Sequence, residues 1–159
     1  MRIIVALAIL SLVASCQTTT PEMTSADRAQ VEAEVNEWAD GFLAAFADLN
    51  PDKMTSFWTQ DGISSVSFAR RMTSSAEMAD FYDGLLSGWT SSQAEWMPGI
   101  VIDVISPTTA VFQGSSRQAT TNSEGVSLVQ LIHFTHYLKK VDGAWKIQMN
   151  HVSGGDFPR

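Results

Sequence analysis

Val126 to Ser153 reads VSLVQLIHFTHYLKKVDGAWKIQMNHVS, two runs of alternating apolar and polar residues that meet at Asp142-Gly143. An Asp-Gly between such runs is a strong hairpin signal, because both central residues of the favoured two-residue turn need positive φ. With that turn, Val141 faces Ala144, and pairing outward sets Leu138 opposite Ile147, His136 opposite Met149 and Phe134 opposite His151. A slip of one residue would set Leu138 against Lys146 and mix the two faces. The register predicts an inner face of Ile132, Phe134, His136, Leu138, Trp145, Ile147, Met149 and His151. It predicts an outer face of His133, Thr135, Tyr137, Lys146, Gln148, Asn150 and Val152. His136 and His151 then become diagonal neighbours on the apolar side, roughly 7 Å apart between Cβ atoms.

Working outward from the hairpin, Ala110 to Thr121 reads as the preceding strand, with Asn122 to Gly125 as its turn. Glu95 to Ile105 alternates loosely around a Pro98-Gly99 break and stops at Pro107. Ile63 to Phe68 is a further, weaker strand. The other elements repeat every three or four residues. Val31, Val35, Trp38, Phe42, Ala45/Phe46 and Leu49 mark an amphipathic helix over Ala26 to Leu49, with Thr24 and Asp27 as its capping box. Asn50-Pro51 starts a short second helix carrying Met54, Phe57 and Trp58, which ends before Asp61-Gly62. Ser74 with Glu77 caps a third, bearing Met78, Phe81, Tyr82, Leu85 and Trp89 and ending near Gly88. Helices first and antiparallel strands after them make an α+β fold, its sheet curved over the helices with a pocket between the layers.

The front of the chain has another character. Arg2 precedes Ile3 to Leu12, an uncharged run too short to span a bilayer and suited to a signal-peptide core. Val13-Ala14-Ser15-Cys16 resembles the bacterial lipobox, whose cysteine is lipidated and becomes the mature N-terminus. Residues 1–15 are therefore expected to be a lipoprotein signal peptide and 16–25, rich in Thr, Pro and Ser, a tether. The folded domain is expected over 26–153, with a tail over 154–159. The resemblance implies a membrane anchor through lipid on Cys16, in the bacterial envelope. Because Asp is missing at position 17, it implies the outer membrane, facing the periplasm.

Length fits one domain of about 150 residues. A net charge of −7 without basic tracts excludes nucleic acid as an expected partner. No Gly-rich phosphate loop or Walker motif is present, and no cofactor is expected. Metal binding is not expected either: three positions apart on a strand, His133 points away from His136, and the single cysteine is assigned to lipid.

Several residues together resemble the nuclear transport factor 2-like superfamily and, within it, the SnoaL-like and related bacterial domains. They are Trp38, Ala45-Phe46 and Asp48, Asp61-Gly62, the Ala110-Val111 strand head, Asp142-Gly143-Ala144-Trp145-Lys146-Ile147, and His151-Val152-Ser153. Thr73-Ser74-Ser75 departs from the glycine that many members carry before the third helix. The resemblance implies a cone-shaped fold of a strongly curved antiparallel sheet on three helices from the N-terminal half. It also implies frequent dimers through the sheet, and a pocket that isomerises, dehydrates, cyclises or only binds. Family isomerases take an oxyanion-donating tyrosine from the first helix, where this chain has Trp38 and Phe42.

Three functional expectations follow. His136 and His151, with Asp61 orienting one of them, are a candidate acid/base set for an isomerase, hydro-lyase or cyclase, although core histidines and an ordinary Asp-Gly turn explain the same residues. Trp38, Phe42, Trp58, Tyr82, Trp96, Phe134 and Met149 are the candidate lining of a pocket for a small apolar or aromatic molecule, although aromatics at helical spacing serve equally as core. Val129, Leu131, Tyr137 and Val152 form an apolar outer patch suited to a homodimer or another interaction partner.

Overall fold

A computed structural model describes residues 23–67 and 69–154. The signal-peptide, lipobox and Cys16 expectations lie outside those residues, as do Phe68 and the end of the tail.

The described chain runs α1 (Ser25–Ala47), α2 (Pro51–Ser56), β1 (Trp58–Val66), α3 (Ser75–Leu86), β2 (Trp89–Trp96), β3 (Val101–Ser106), β4 (Thr109–Asn122), β5 (Ser127–Val141) and β6 (Ala144–Gly154). The caps form as their residues dictate. Thr24 and Asp27 close the capping box of α1, Asn50 accepts from the Lys53 amide ahead of α2, and Ser74 accepts from the Glu77 amide ahead of α3. Each satisfies a backbone donor that a helix start leaves free, worth about 1 kcal/mol.

The six-stranded sheet has the order β1-β6-β5-β4-β2, with β3 also on β4. The long β4 carries two partners on one edge in succession, since residues from Thr109 to Gln113 pair with β3 and those from Ser116 to Asn122 with β2. The helices cover one side of this open sheet. Val35, Leu138, Ala110 and Ile147 lie at the centre of the core with no exposed surface. Glu34 on α1 ties the helix to the turn end of the hairpin, taking hydrogen bonds from Lys140 Nζ at 2.5 Å and Trp145 Nε1 at 3.0 Å. Those two bonds, with a third from Gln30, hold its carboxyl down at about 2.

Four features differ from the sequence reading. First, β1 begins at Trp58 and runs parallel to β6, so the sheet is not antiparallel throughout. Asp61-Gly62 lies inside β1, where the register shifts between Trp58 and Ile63, and is no turn after α2. The glycine is needed for proximity: a Cβ at Gly62 would stand 2.9 Å from the Trp58 ring and 3.3 Å from the Ile147 carbonyl oxygen. Second, Trp89 opens β2 and is not part of α3, and its ring still meets the core through Phe46 at 5.8 Å. Third, Glu95 to Ile105 is divided between two strands.

The fourth difference decides the site. Asp142 and Gly143 have φ of 51° and 82°, and Val141, Lys140, Lys139 and Leu138 pair with Ala144, Trp145, Lys146 and Ile147 as the turn predicts. The register then shifts. Tyr137 pairs with Met149, His136 with Asn150, Thr135 with His151 and Phe134 with Val152, leaving Gln148 as the extra residue of a β-bulge. Because side chains alternate with a period of two, one extra residue exchanges the faces of everything beyond it on β6. Met149 and His151 are therefore exposed on the outer face, while Asn150 is buried and Val152 turns inward.

Candidate functional site

The bulge sets the polar lining of a cavity of about 90 Å³ between the sheet and the helices. A single ordered water needs roughly 10–15 Å³ of such space, so the volume suits several waters or one compact molecule. Its walls are mostly apolar and aromatic. Phe42 and Phe46 come from α1, Phe81, Tyr82 and Leu85 from α3, Trp96 from β2, and Phe134 and Ile132 from β5.

A polar row crosses this floor. The pairings Ser64↔Asn150 and Asn150↔His136 put three polar side chains side by side across β1, β6 and β5. All three line the cavity and are buried. Ser64 Oγ donates to Asn150 Oδ1 at 2.6 Å, fixing the amide so that its nitrogen is left to donate elsewhere. His136 stacks on Phe134 at 4.9 Å with the rings 12° apart, lies parallel to Phe112 at 6.3 Å, and meets the edges of Trp38 and Phe42. Its Nδ1 is buried with no hydrogen-bond partner among the described residues. Burial without a counter-charge pushes its pKa down to about 3, so the ring is neutral throughout the physiological range.

Tyr82 hydroxyl accepts from Trp58 Nε1 at 3.2 Å, and burial raises its pKa to about 12, so it too remains neutral. Among the described residues no Asp, Glu, Lys or Arg lines the cavity. Among the described residues no three His, Cys, Asp or Glu side chains cluster as metal ligands, and no helix is long and apolar enough to cross a membrane.

The sequence-derived candidates divide between several places. Phe42, Tyr82, Trp96, Phe134 and His136 meet at the cavity. Trp38 and Trp58 are buried in the core behind it. Met149, 51% exposed, is on the opposite face of the sheet. His151 shares a shallow outer groove there with Arg71, Tyr137, Ser65 and Thr135, and is not paired with His136. Asp61 is exposed, and its backbone carbonyl accepts a long contact from Gln148, so it supports neither histidine. Asn150 and Ser64 are the site residues that the sequence reading missed. The one signal for them was Val152, an apolar residue in phase with Asn150 and out of phase with Ile147.

The model of the SnoaL-like domain matches residues 35–157. The chain belongs to the SnoaL-like domain family. No curated protein matches it. Solved structures with the same architecture include a nuclear transport factor 2-like superfamily protein of Salmonella enterica, 14% identical with a TM-score of 0.72 over 80% of this chain and 92% of that one. A ketosteroid isomerase-like protein of Erwinia carotovora is 19% identical, with a TM-score of 0.67 over 79% and 96%. The hexachlorocyclohexane dehydrochlorinase LinA-type3 of Novosphingobium barchaimii is 14% identical, with a TM-score of 0.71 over 85% and 93%. At these identities the likeness concerns the fold: this SnoaL-like domain has the nuclear transport factor 2-like α+β cone, with its sheet left open.

Proposed function

We propose that this SnoaL-like domain binds a small apolar or aromatic molecule in the cone. The observation that carries the reading is a cavity walled by Phe42, Phe46, Phe81, Trp96 and Phe134 with no charged side chain among the described residues that line it. Burying a ligand's apolar surface there yields about 25 cal/mol per Å² before the cost of association. Catalysis by His136 is the weaker reading, because a base with a pKa of about 3 takes a proton poorly near pH 7 and neither His151 nor Asp61 assists it. Titrating the full-length protein with toluene, followed by tryptophan fluorescence and calorimetry, tests the proposal. Saturable one-site binding is expected; the absence of heat and of any fluorescence change up to the solubility limit would refute it.

The setting belongs to the same proposal. The lipobox-like Val13-Ala14-Ser15-Cys16 supports an envelope lipoprotein tethered through Cys16 to the outer membrane, and the outer sheet face, with Val129, Tyr137 and Met149, is the surface for a homodimer. Cys16→Ser is expected to abolish labelling by a fatty-acid analogue while leaving the melting temperature of the domain unchanged, since a tether adds nothing to the core. Equal labelling of wild type and variant would exclude the anchor.

A further inference from the structure

His136 and Asn150 stand at directly opposed positions on β5 and β6, which places their Cβ atoms about 4.5–5.5 Å apart on one face. Both line the cavity. Of the two ring nitrogens of His136, Nδ1 is enclosed without a partner among the described residues, so Nε2 is the nitrogen left to serve a ligand. A neutral imidazole carries one proton, and an enclosed N–H with no acceptor is among the rarest defects of folded proteins, so the proton belongs on Nε2. The Asn150 amide is oriented in the same sense, because Ser64 Oγ occupies Oδ1 and leaves Nδ2 as a donor. Two neutral N–H groups from adjacent strands thus lie within reach of one atom. The Tyr82 hydroxyl also lines the cavity, while Gln118 and Ser116 bond each other, loosely, at 3.4 Å.

We infer that the ligand is a neutral molecule with a single oxygen acceptor on an otherwise apolar body, its oxygen receiving His136 Nε2–H and Asn150 Nδ2–H together. The inference rests on the binding proposal above and narrows it. A carboxylate ligand is disfavoured by the same lining: among the described residues no Lys or Arg meets it there, and an unpaired buried charge costs far more than two neutral hydrogen bonds return. An ammonium ligand meets the same obstacle, because among the described residues no carboxylate faces the cavity.

Three probes of nearly one shape separate the possibilities: acetophenone, α-methylstyrene, in which a methylene replaces the oxygen, and benzoate. Calorimetry on the full-length protein at pH 7 is expected to show acetophenone binding roughly tenfold more tightly than α-methylstyrene, the yield of one or two net hydrogen bonds, with benzoate not binding. His136→Phe keeps an aromatic ring in the stack and removes the donor; in that variant the preference for acetophenone should shrink to less than about threefold. The wild-type comparison decides the matter even where the variant folds poorly. Equal affinity for acetophenone and α-methylstyrene, or a lead for benzoate, overturns the inference and leaves the binding proposal standing. Failure of all three to bind overturns both.

Discussion

The two ends of the β5–β6 hairpin obey the same alternation and yet differ in what they reveal. Between the turn and Ile147, a residue's face follows from its distance to Asp142-Gly143, and Trp145, Ile147 and Leu138 are buried as that count requires. Beyond Gln148 the count is off by one, and the side chains that reach the cavity are Asn150 and Val152 in place of Met149 and His151. Turn chemistry sets register locally and strongly, because few residue pairs tolerate positive φ. A bulge demands no particular residue. It follows from the curvature of the sheet and from the neighbouring strand, and here β1 shifts its own register against the same stretch of β6. The half whose register the turn sets is therefore the predictable half, and the half that lines the cavity is the one that tertiary structure decides.

Deletions break this comparison most severely. Removing Gln148 absorbs the bulge and leaves every remaining residue of β6 on its present face, so the variant should fold with a loss below about 2 kcal/mol, within the usual range for a point change. Removing Lys146 also absorbs the bulge, but it sends Ile147 outward and Gln148 into the core. Losing a fully buried isoleucine and burying an amide should together cost about 3–5 kcal/mol or more. Chemical denaturation of both variants checks the difference; in a straight hairpin the Gln148 deletion would also be costly, since it would then invert the far end of β6.

Single substitutions sharpen the comparison. Leu138→Ala, at a position with no exposure, should cost about 2–5 kcal/mol, whereas Met149→Ala, at 51% exposure, should change stability by less than about 0.5 kcal/mol. Equal losses at the two positions would place Met149 back in the core.

Acid gives a smaller and reversible effect. His136 has a folded-state pKa of about 3, below the ordinary 6.5, so between those values the unfolded chain binds the extra proton. Its contribution is complete above pH 6.5 and is lost as pH falls toward 3, with a slope of up to about 1.4 kcal/mol per unit. Between pH 6.5 and 5, above the range of the ordinary carboxylates, His136→Phe should flatten the dependence of unfolding free energy on pH, as denaturation at several pH values would show.

What was legible in the chain follows the same division. Helix starts could be read from Thr24, Asn50 and Ser74, because each cap is a local hydrogen bond within three residues. The aromatic lining was readable as apolar periodicity, though not which rings face a void: Trp38 and Trp96 look alike in sequence, and only packing assigns one to the core and the other to the cavity. Asp61-Gly62 carried a turn's composition for a different reason, the close passage of β1 over Trp58 and Ile147. Asn150 was hidden because the bulge at Gln148 turns it inward, where it meets Ser64, a partner 86 residues away.

The central claim, that the cone cavity holds an apolar ligand on a floor made by His136 and not by His151, is tested most directly by side-chain NMR of the two histidines during a toluene titration of the full-length protein. The account predicts that the His136 ring resonances move in a saturable way while those of His151, on the far face of the sheet, stay fixed; movement of His151 alone, of both histidines together, or of neither at saturating toluene would contradict it.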